Sequence, residues 1–267
     1  RSRMIVPDGV ILSCAGLELS NSEIEFFRNI NPLGFVLFKR NFKNKKQITK
    51  LIKQLKKITI NRNILIFVDQ EGGKVQRLDN DEFIKFPPQR VFGDIYSYNK
   101  DLAIKLAYKS SFLMGKELKD VGIDVDFSPV CDLFFDTAHD IIGNRAFGTD
   151  TTLVYNLSKV FCDGLLDSGI IPVPKHFPGH GRSINDTHNK ASVINTKYEE
   201  LKKTDFVPFR ILEKSYMVML AHIIYSNIDK EVATYSKKIN NNILRGQFNF
   251  KGLILSDDIS MKAIKGN

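Results

Sequence analysis

Apolar residues along this chain gather into seven short runs separated by longer amphipathic stretches. The runs occupy 10–14, 34–38, 64–68, 125–130, 170–174, 217–224 and 253–255. Each is apolar almost throughout, the pattern of a strand buried on both faces. Between them, 22–29, 45–58, 102–120, 151–168, 198–214 and 237–248 carry helical periodicity. In the second of these, Ile48, Leu51, Ile52, Leu55 and Ile58 repeat every three or four residues, and lysines fill most of the gaps. Strand and helix in alternation predict an α/β fold with a parallel sheet under helical cover. No G-x-G-x-x-G follows the first run, so a TIM (β/α)₈-type barrel is expected rather than an open dinucleotide-binding sheet. Nothing resembling a linker or repeat divides the chain, and residues 1–267 read as a single domain. The sequence ends ten residues after Asp257 with no eighth apolar run. The barrel is therefore expected to lack its eighth strand in this chain.

Composition narrows the possible functions. The chain has 267 residues, 43% hydrophobic and 26% charged, enough apolar material for one sizeable core. The net charge of +9 would suit nucleic acid or an anionic membrane. Its lysines, however, fall between the apolar positions of the helical stretches, where they form solvated faces. Neither a nucleic-acid nor a membrane partner is expected. Cys14, Cys131 and Cys162 are odd in number and lack a C-x-x-C, which fits a reducing cytoplasm. No run reaches the roughly 18–20 apolar residues of a membrane span. Met4 reads as the natural start, preceded by Arg1, Ser2 and Arg3 without a signal-peptide core.

Polar residues cluster where apolar runs end. Asp69, Lys175, His176, His222 and Asp257 each end a run or lie directly after one, at the strand ends that carry the chemistry of a barrel. The richest segment is K-H-F-P-G-H-G-R-S-I-N-D-T-H, with Lys175, His176, His180, Asp186 and His188 among fourteen residues. Such density on a loop points to function. L-I-L-S-D-D-I-S-M ends a strand in two carboxylates. Asp257 is placed to attack an electrophilic carbon, and Asp258 to cap or support the next helix. D-Q-E-G-G-K-V-Q-R places Asp69 and Arg77 where charge-assisted bonds could hold hydroxyl groups. G-N-R-A-F-G, containing Arg145, is weak alone.

Together these motifs resemble the bacterial β-N-acetylglucosaminidases of glycoside hydrolase family 3, cytoplasmic enzymes of cell-wall recycling. The likeness runs in order from about Val10 to the end. It implies an exo-acting retaining β-N-acetylhexosaminidase that needs no cofactor or metal, acting as a monomer on N-acetylglucosamine linked to anhydro-muramic acid in muropeptides. It further implies Asp257 as nucleophile, His188 as acid/base positioned by Asp186, and Asp69, Arg77, Arg145, Lys175 and His176 as sugar-binding residues. Thr187 and Lys74 stand where many relatives carry Ser and Arg. A histidine acid/base is chemically reasonable, because imidazole titrates near neutrality and a neighbouring carboxylate favours its charged form. The two-residue offset between Asp186 and His188 suits a loop that moves between binding and chemistry.

Three rival readings are weaker. A metal-dependent barrel would use His176, His180, His188, His222 and Asp257 as ligands, but the first strand supplies no histidine. A sugar-binding barrel without turnover conflicts with competent residues at every implied catalytic position. Cleavage of β-glucosides or β-xylosides belongs to other branches of the same family.

Overall fold

In the computed structural model, residues 6–60, 63–138, 140–184 and 192–260 are described. The chain begins with β1 (Asp8–Leu12), α1 (Asn21–Arg28) and β2 (Pro32–Leu37). Next come α2 (Lys45–Ile58), β3 (Leu65–Val68) and a small hairpin of β4 (Gln70–Gly72) and β5 (Val75–Gln76). After the hairpin the chain forms α3 (Arg90–Tyr96), α4 (Lys100–Val121), β6 (Val125–Asp126), α5 (Thr151–Asp167) and β7 (Ile171–Pro172). The last part holds β8 (Ser192–Ile194), α6 (Tyr198–Lys203), β9 (Met217–Leu220), β10 (Ile223–Tyr225) and β11 (Leu253–Ser256). It also contains a tight helix at Pro208–Lys214 and a wide-turned, π-type helix at Lys238–Gln247.

Each of the seven apolar runs contains a parallel strand, joined in chain order. β1, β2, β3, β6 and β7 form one sheet, and β9 pairs with β11. The two groups meet where the chain beyond β7 runs beside β9. There Phe177 N–H donates to Met219 O at 2.8 Å and Ala221 N–H to Phe177 O at 2.9 Å. One apolar cluster draws on all seven strands: Phe67, Val125, Phe127, Val173, Met217 and Leu255 are buried in it, and Ile11, Leu33 and Ile171 pack against it. A second, larger cluster packs β1, β2 and β3, with Ile123 and Ile170 just before β6 and β7, under α1, α2, α3, α4 and α5. Among the described residues no pairing joins β11 to β1.

Local chemistry explains the boundaries. α2 starts where Asn44 Oδ1 accepts from Gln47 N–H, and it buries Ile48, Leu51, Ile52 and Leu55. Each such aliphatic side chain contributes about 1.5–3 kcal/mol of burial. α4 ends at Gly122, whose φ of 98° a side chain would resist. α4 and α5 approach so closely that a Cβ on Gly164 would stand 2.1 Å from Ser111 Oγ.

Four expectations need correction. The runs 125–130 and 170–174 yield only two-residue strands, because Pro129, Pro172 and Pro174 have no N–H to give a ladder. The run 217–224 divides after Leu220, and its second half pairs with β8 instead of β11. The stretch 198–214 breaks into α6 and a tight helix begun by Pro208, which cannot donate within a continuous helix. The hairpin β4–β5 and the short helix α3 carried no periodic signal.

Candidate active site

Beyond the strand ends the chain gathers charge around a buried carboxylate. Glu71, on β4, is reached by two cations. Lys175 Nζ lies 2.6 Å from Glu71 Oε1 and 2.9 Å from Asp69 Oδ1. Arg145 makes a two-pronged contact, Nε to Oε2 at 2.9 Å and Nη2 to Oε1 at 2.8 Å, while its Nη1 donates to Ile141 O. Burial alone would raise the Glu71 carboxyl, yet Arg145 and then Lys175 hold it well below the ordinary carboxylate range. Burial opposes the charge of Lys175, but Asp69 and Glu71 outweigh it and raise the ammonium. Buried charges persist only when paired in this way. Arg77 stands further out, with Nη2 3.5 Å from Asp69 Oδ2. Its Nε is buried without a hydrogen-bond partner among the described residues.

The second group is built on Asp132, fully buried between Cys131 and Leu133. Asp132 Oδ2 lies 2.7 Å from His176 Nδ1, and Oδ1 accepts from the backbone N–H of His180 at 2.7 Å and of His176 at 3.2 Å. Burial pushes the Asp132 carboxyl up to about 6, moderated by His180. Burial brings His176 down to about 3, opposed first by Asp257, and likewise takes His180 to about 3 with help from His176. At neutral pH His176 is therefore an uncharged imidazole whose Nδ1–H donates to Asp132. Its Nε2 is the nitrogen available to a ligand.

The loop beyond His180 is fixed at its stem. A Cβ on Gly181 would stand 1.8 Å from Leu133 O, so only glycine allows this approach. Arg182 Nε donates to Asp205 Oδ2 at 2.9 Å, with its guanidinium 4.4 Å above the Phe135 ring. Asp186 and His188, which the motif analysis singled out, lie outside the described residues. The described chain resumes at Ser192 in β8.

Asp257 lies just past β11 and is partly exposed. Its Oδ1 accepts from Asp258 N–H at 2.8 Å. Asp258 Oδ1 accepts from Ser260 N–H at 2.8 Å. His222 bonds to Thr234 and to the Asp258 backbone. Among the described residues no three His, Cys, Asp or Glu side chains converge on a metal-sized site.

The structure thus brings Asp69, Arg145 and Lys175 into direct contact around Glu71. Arg77 joins them through Asp69, His176 forms a separate pair with Asp132, and Asp257 acts electrostatically on His176. Sequence reasoning passed over Glu71 and Asp132. Asp132 had one legible signal, a lone acid inside an apolar stretch, which must find a partner if it is buried. Glu71 had none beyond its place in the Asp69 motif.

The likeness to known proteins agrees with this geometry. The model of the Glycosyl hydrolase family 3 N terminal domain matches residues 13–267. A β-hexosaminidase of Xylella fastidiosa (strain 9a5c) is 37% identical over 259 residues, 96% of this chain and 76% of that protein. One of Nitrosomonas eutropha is 37% identical over 260 residues, covering 96% and 73%. Among solved structures, NagZ from Neisseria gonorrhoeae in complex with N-trifluoroacetyl-D-glucosamine superimposes with a TM-score of 0.91 at 34% identity, over 96% of this chain and 76% of that one. The family 3 β-N-acetylglucosaminidase of Paenibacillus sp. str. FPU-7 gives 0.89 at 30% identity, over 96% and 48%. The chain belongs to glycoside hydrolase family 3, whose N-terminal domain it matches over nearly its whole length, and is a glycoside hydrolase.

Proposed function

We propose that this chain is a retaining exo-β-N-acetylglucosaminidase that removes terminal N-acetylglucosamine from anhydro-muramic acid muropeptides in the cytoplasm, as a monomer. The observation that carries the reading is the Asp69–Lys175–Glu71–Arg145 ion-pair set gathered beyond the ends of parallel strands, with Asp257 just past the end of β11 and acting on the neighbouring His176. Relatives named β-hexosaminidase and a neighbour solved with an N-acylated glucosamine support the choice of sugar. No helix among the described residues is long and apolar enough to cross a membrane. We also infer that the seven parallel strands are most of a (β/α)₈ barrel, in keeping with the single interior cluster fed by first and last strands alike.

The chemistry needs two groups. The Asp257 carboxylate attacks the anomeric carbon while His188 gives its proton to the departing oxygen, so one carbon–oxygen bond forms as another breaks. Water then attacks the same carbon, returning a proton to His188 and releasing Asp257. Asp186 orients His188 and supports its charged form. Lys175, Asp69, Arg77, Arg145 and the uncharged His176 hold the sugar hydroxyls in place.

The experiment is the release of chromophore from an aryl β-N-acetylglucosaminide beside the matching β-glucoside, with a strong chelator present. Cleavage of the acetamido sugar alone, insensitive to chelation, is expected. Asp257→Ala should lower kcat by about four orders of magnitude or more, in line with removal of other covalent nucleophiles. Full activity in that variant would overturn the assignment of the nucleophile.

A further inference from the structure

The pairing of β9 with β11 stops one residue short of Asp257. Its last pair is Leu220 with Ser256. Past that point the chain leaving β9 turns into β10 and pairs with β8, so among the described residues no strand pairs with the backbone that carries the proposed nucleophile. A side chain bridges the gap instead. His222, fully buried between β9 and β10, places Nε2 3.2 Å from the Asp258 carbonyl oxygen and Nδ1 2.6 Å from Thr234 Oγ1. A carbonyl oxygen can only accept, so Nε2 carries the hydrogen. Thr234 sits in a turn tied back to β10, where Ala233 N–H donates to Ile223 O at 2.8 Å. Asn240 Nδ2 adds a bond to Ala233 O at 3.1 Å.

Asp258 is thereby held on three sides. Its carbonyl accepts from His222, its carboxylate from Ser260 N–H, and its own N–H donates to Asp257 Oδ1. With Oδ1 occupied, Oδ2 is the oxygen left to attack. We propose that His222, oriented by Thr234, is a positioning residue that locks the Asp257–Asp258 backbone and so aims Asp257 Oδ2 at the sugar. The inference rests on Asp257 being the nucleophile. His222 touches no substrate in this scheme, and it acts only through the strand end it holds. A misplacement of about 1 Å at a reacting group can cost on the order of a hundredfold in rate, so the lock bears directly on turnover.

Four variants of the full chain test this, assayed on aryl β-N-acetylglucosaminides with good and poor leaving groups. His222→Gln keeps an N–H near the position of Nε2, whereas His222→Asn keeps a polar atom only near Nδ1. His222→Phe keeps the bulk and loses both bonds, and Thr234→Val removes the hydroxyl. The expected result is a kcat loss of about a hundredfold for His222→Phe and His222→Asn, with KM within about threefold of the parent. His222→Gln should recover to within about tenfold and Thr234→Val should lose about three- to tenfold. The loss should be equal for both leaving groups, because misaimed attack, unlike a missing acid, is not relieved by a better one. Unaltered kcat in Thr234→Val together with equal activity of the Gln and Asn variants would overturn the proposal. So would a defect confined to KM. If His222→Phe fails to melt cooperatively, the Gln–Asn pair and Thr234→Val decide. Asp257→Ala runs beside them: activity surviving there sinks the nucleophile itself, whereas its loss alongside unaffected His222 variants sinks only the positioning role.

Discussion

Two ion pairs with similar distances behave as opposites in this molecule. Lys175 and Glu71 meet at 2.6 Å with side chains 2% and 1% exposed. Lys50, on the outer face of α2, meets Glu18 at 3.0 Å with 73% and 71% exposed. Around Lys50 the lysines at 46, 53 and 57 form an exposed stripe with helical spacing, and water and salt screen them. In the buried pocket bulk solvent does not offset the cost of charge, so each group must find a partner. Glu71 finds two, and Asp69 joins them through Lys175. The comparison teaches that a pair's separation does not measure its importance. Its surroundings decide whether it is a solvated ornament or a fixed receptor of charge.

The most direct way to break the contrast is Glu71→Ala, which strands Lys175 and Arg145 without their shared carboxylate. Loss of one partner from a buried set should cost about 3–5 kcal/mol, read by chemical denaturation, with activity falling in parallel. A change under about 1 kcal/mol, far below the range for buried pairs, would mean that water reaches the pocket and the contrast is false. Asp132→Asn is next, expected to cost about 1–3 kcal/mol as His176 and the His180 amide lose a charged acceptor. Here KM should rise more than kcat falls, because His176 is assigned to binding.

Acid should sharpen the same contrast. His176 and His180 are brought to about 3, so below pH 6.5 the unfolded chain takes up protons that the folded one refuses. Stability therefore falls as pH drops from 6.5 toward 3. Asp132, raised to about 6, works the other way between about 6 and its ordinary value of 3.8, since the folded state binds that proton first. Two histidines against one carboxylate leave a net loss on acidification of about 1.4 kcal/mol per pH unit for one proton. The paired charges facing these rings, from Arg145, Lys175 and Glu71, are constant between pH 5 and 7. Tm should be level above pH 6.5 and decline below it, more shallowly in His180→Gln. The smallest effect is expected from Lys50→Ala, within about 0.5 kcal/mol and without effect on turnover, checked by the same melt and assay.

How much of this was legible varies by element. α2 was readable to the residue, because Asn44 supplies a cap and the apolar spacing is unbroken through Ile58. The strands were located but not measured, since prolines at 129, 172 and 174 end the ladders while the sequence stays apolar. Asp69, Lys175, His176 and Asp257 stood out by their places at the ends of apolar runs. Arg145 was reached only through the family resemblance, as it lies in a loop with no periodic signal. Glu71 and Asp132 escaped notice because nothing local distinguishes a buried acid from an exposed one.

By itself the sequence determined the alternation of strand and helix, the family, and most of the polar residues at the strand ends. Those features are written in spacing and motif, which depend on neighbours along the chain. Tertiary structure alone decided that Glu71 is the shared partner of Lys175 and Arg145, that Asp132 holds His176 by its Nδ1, and that His222 grips the backbone beyond Asp257. The contacts join residues up to 104 positions apart, as between Glu71 and Lys175. Burial, which gives each of them its energetic weight, exists only once the chain has folded.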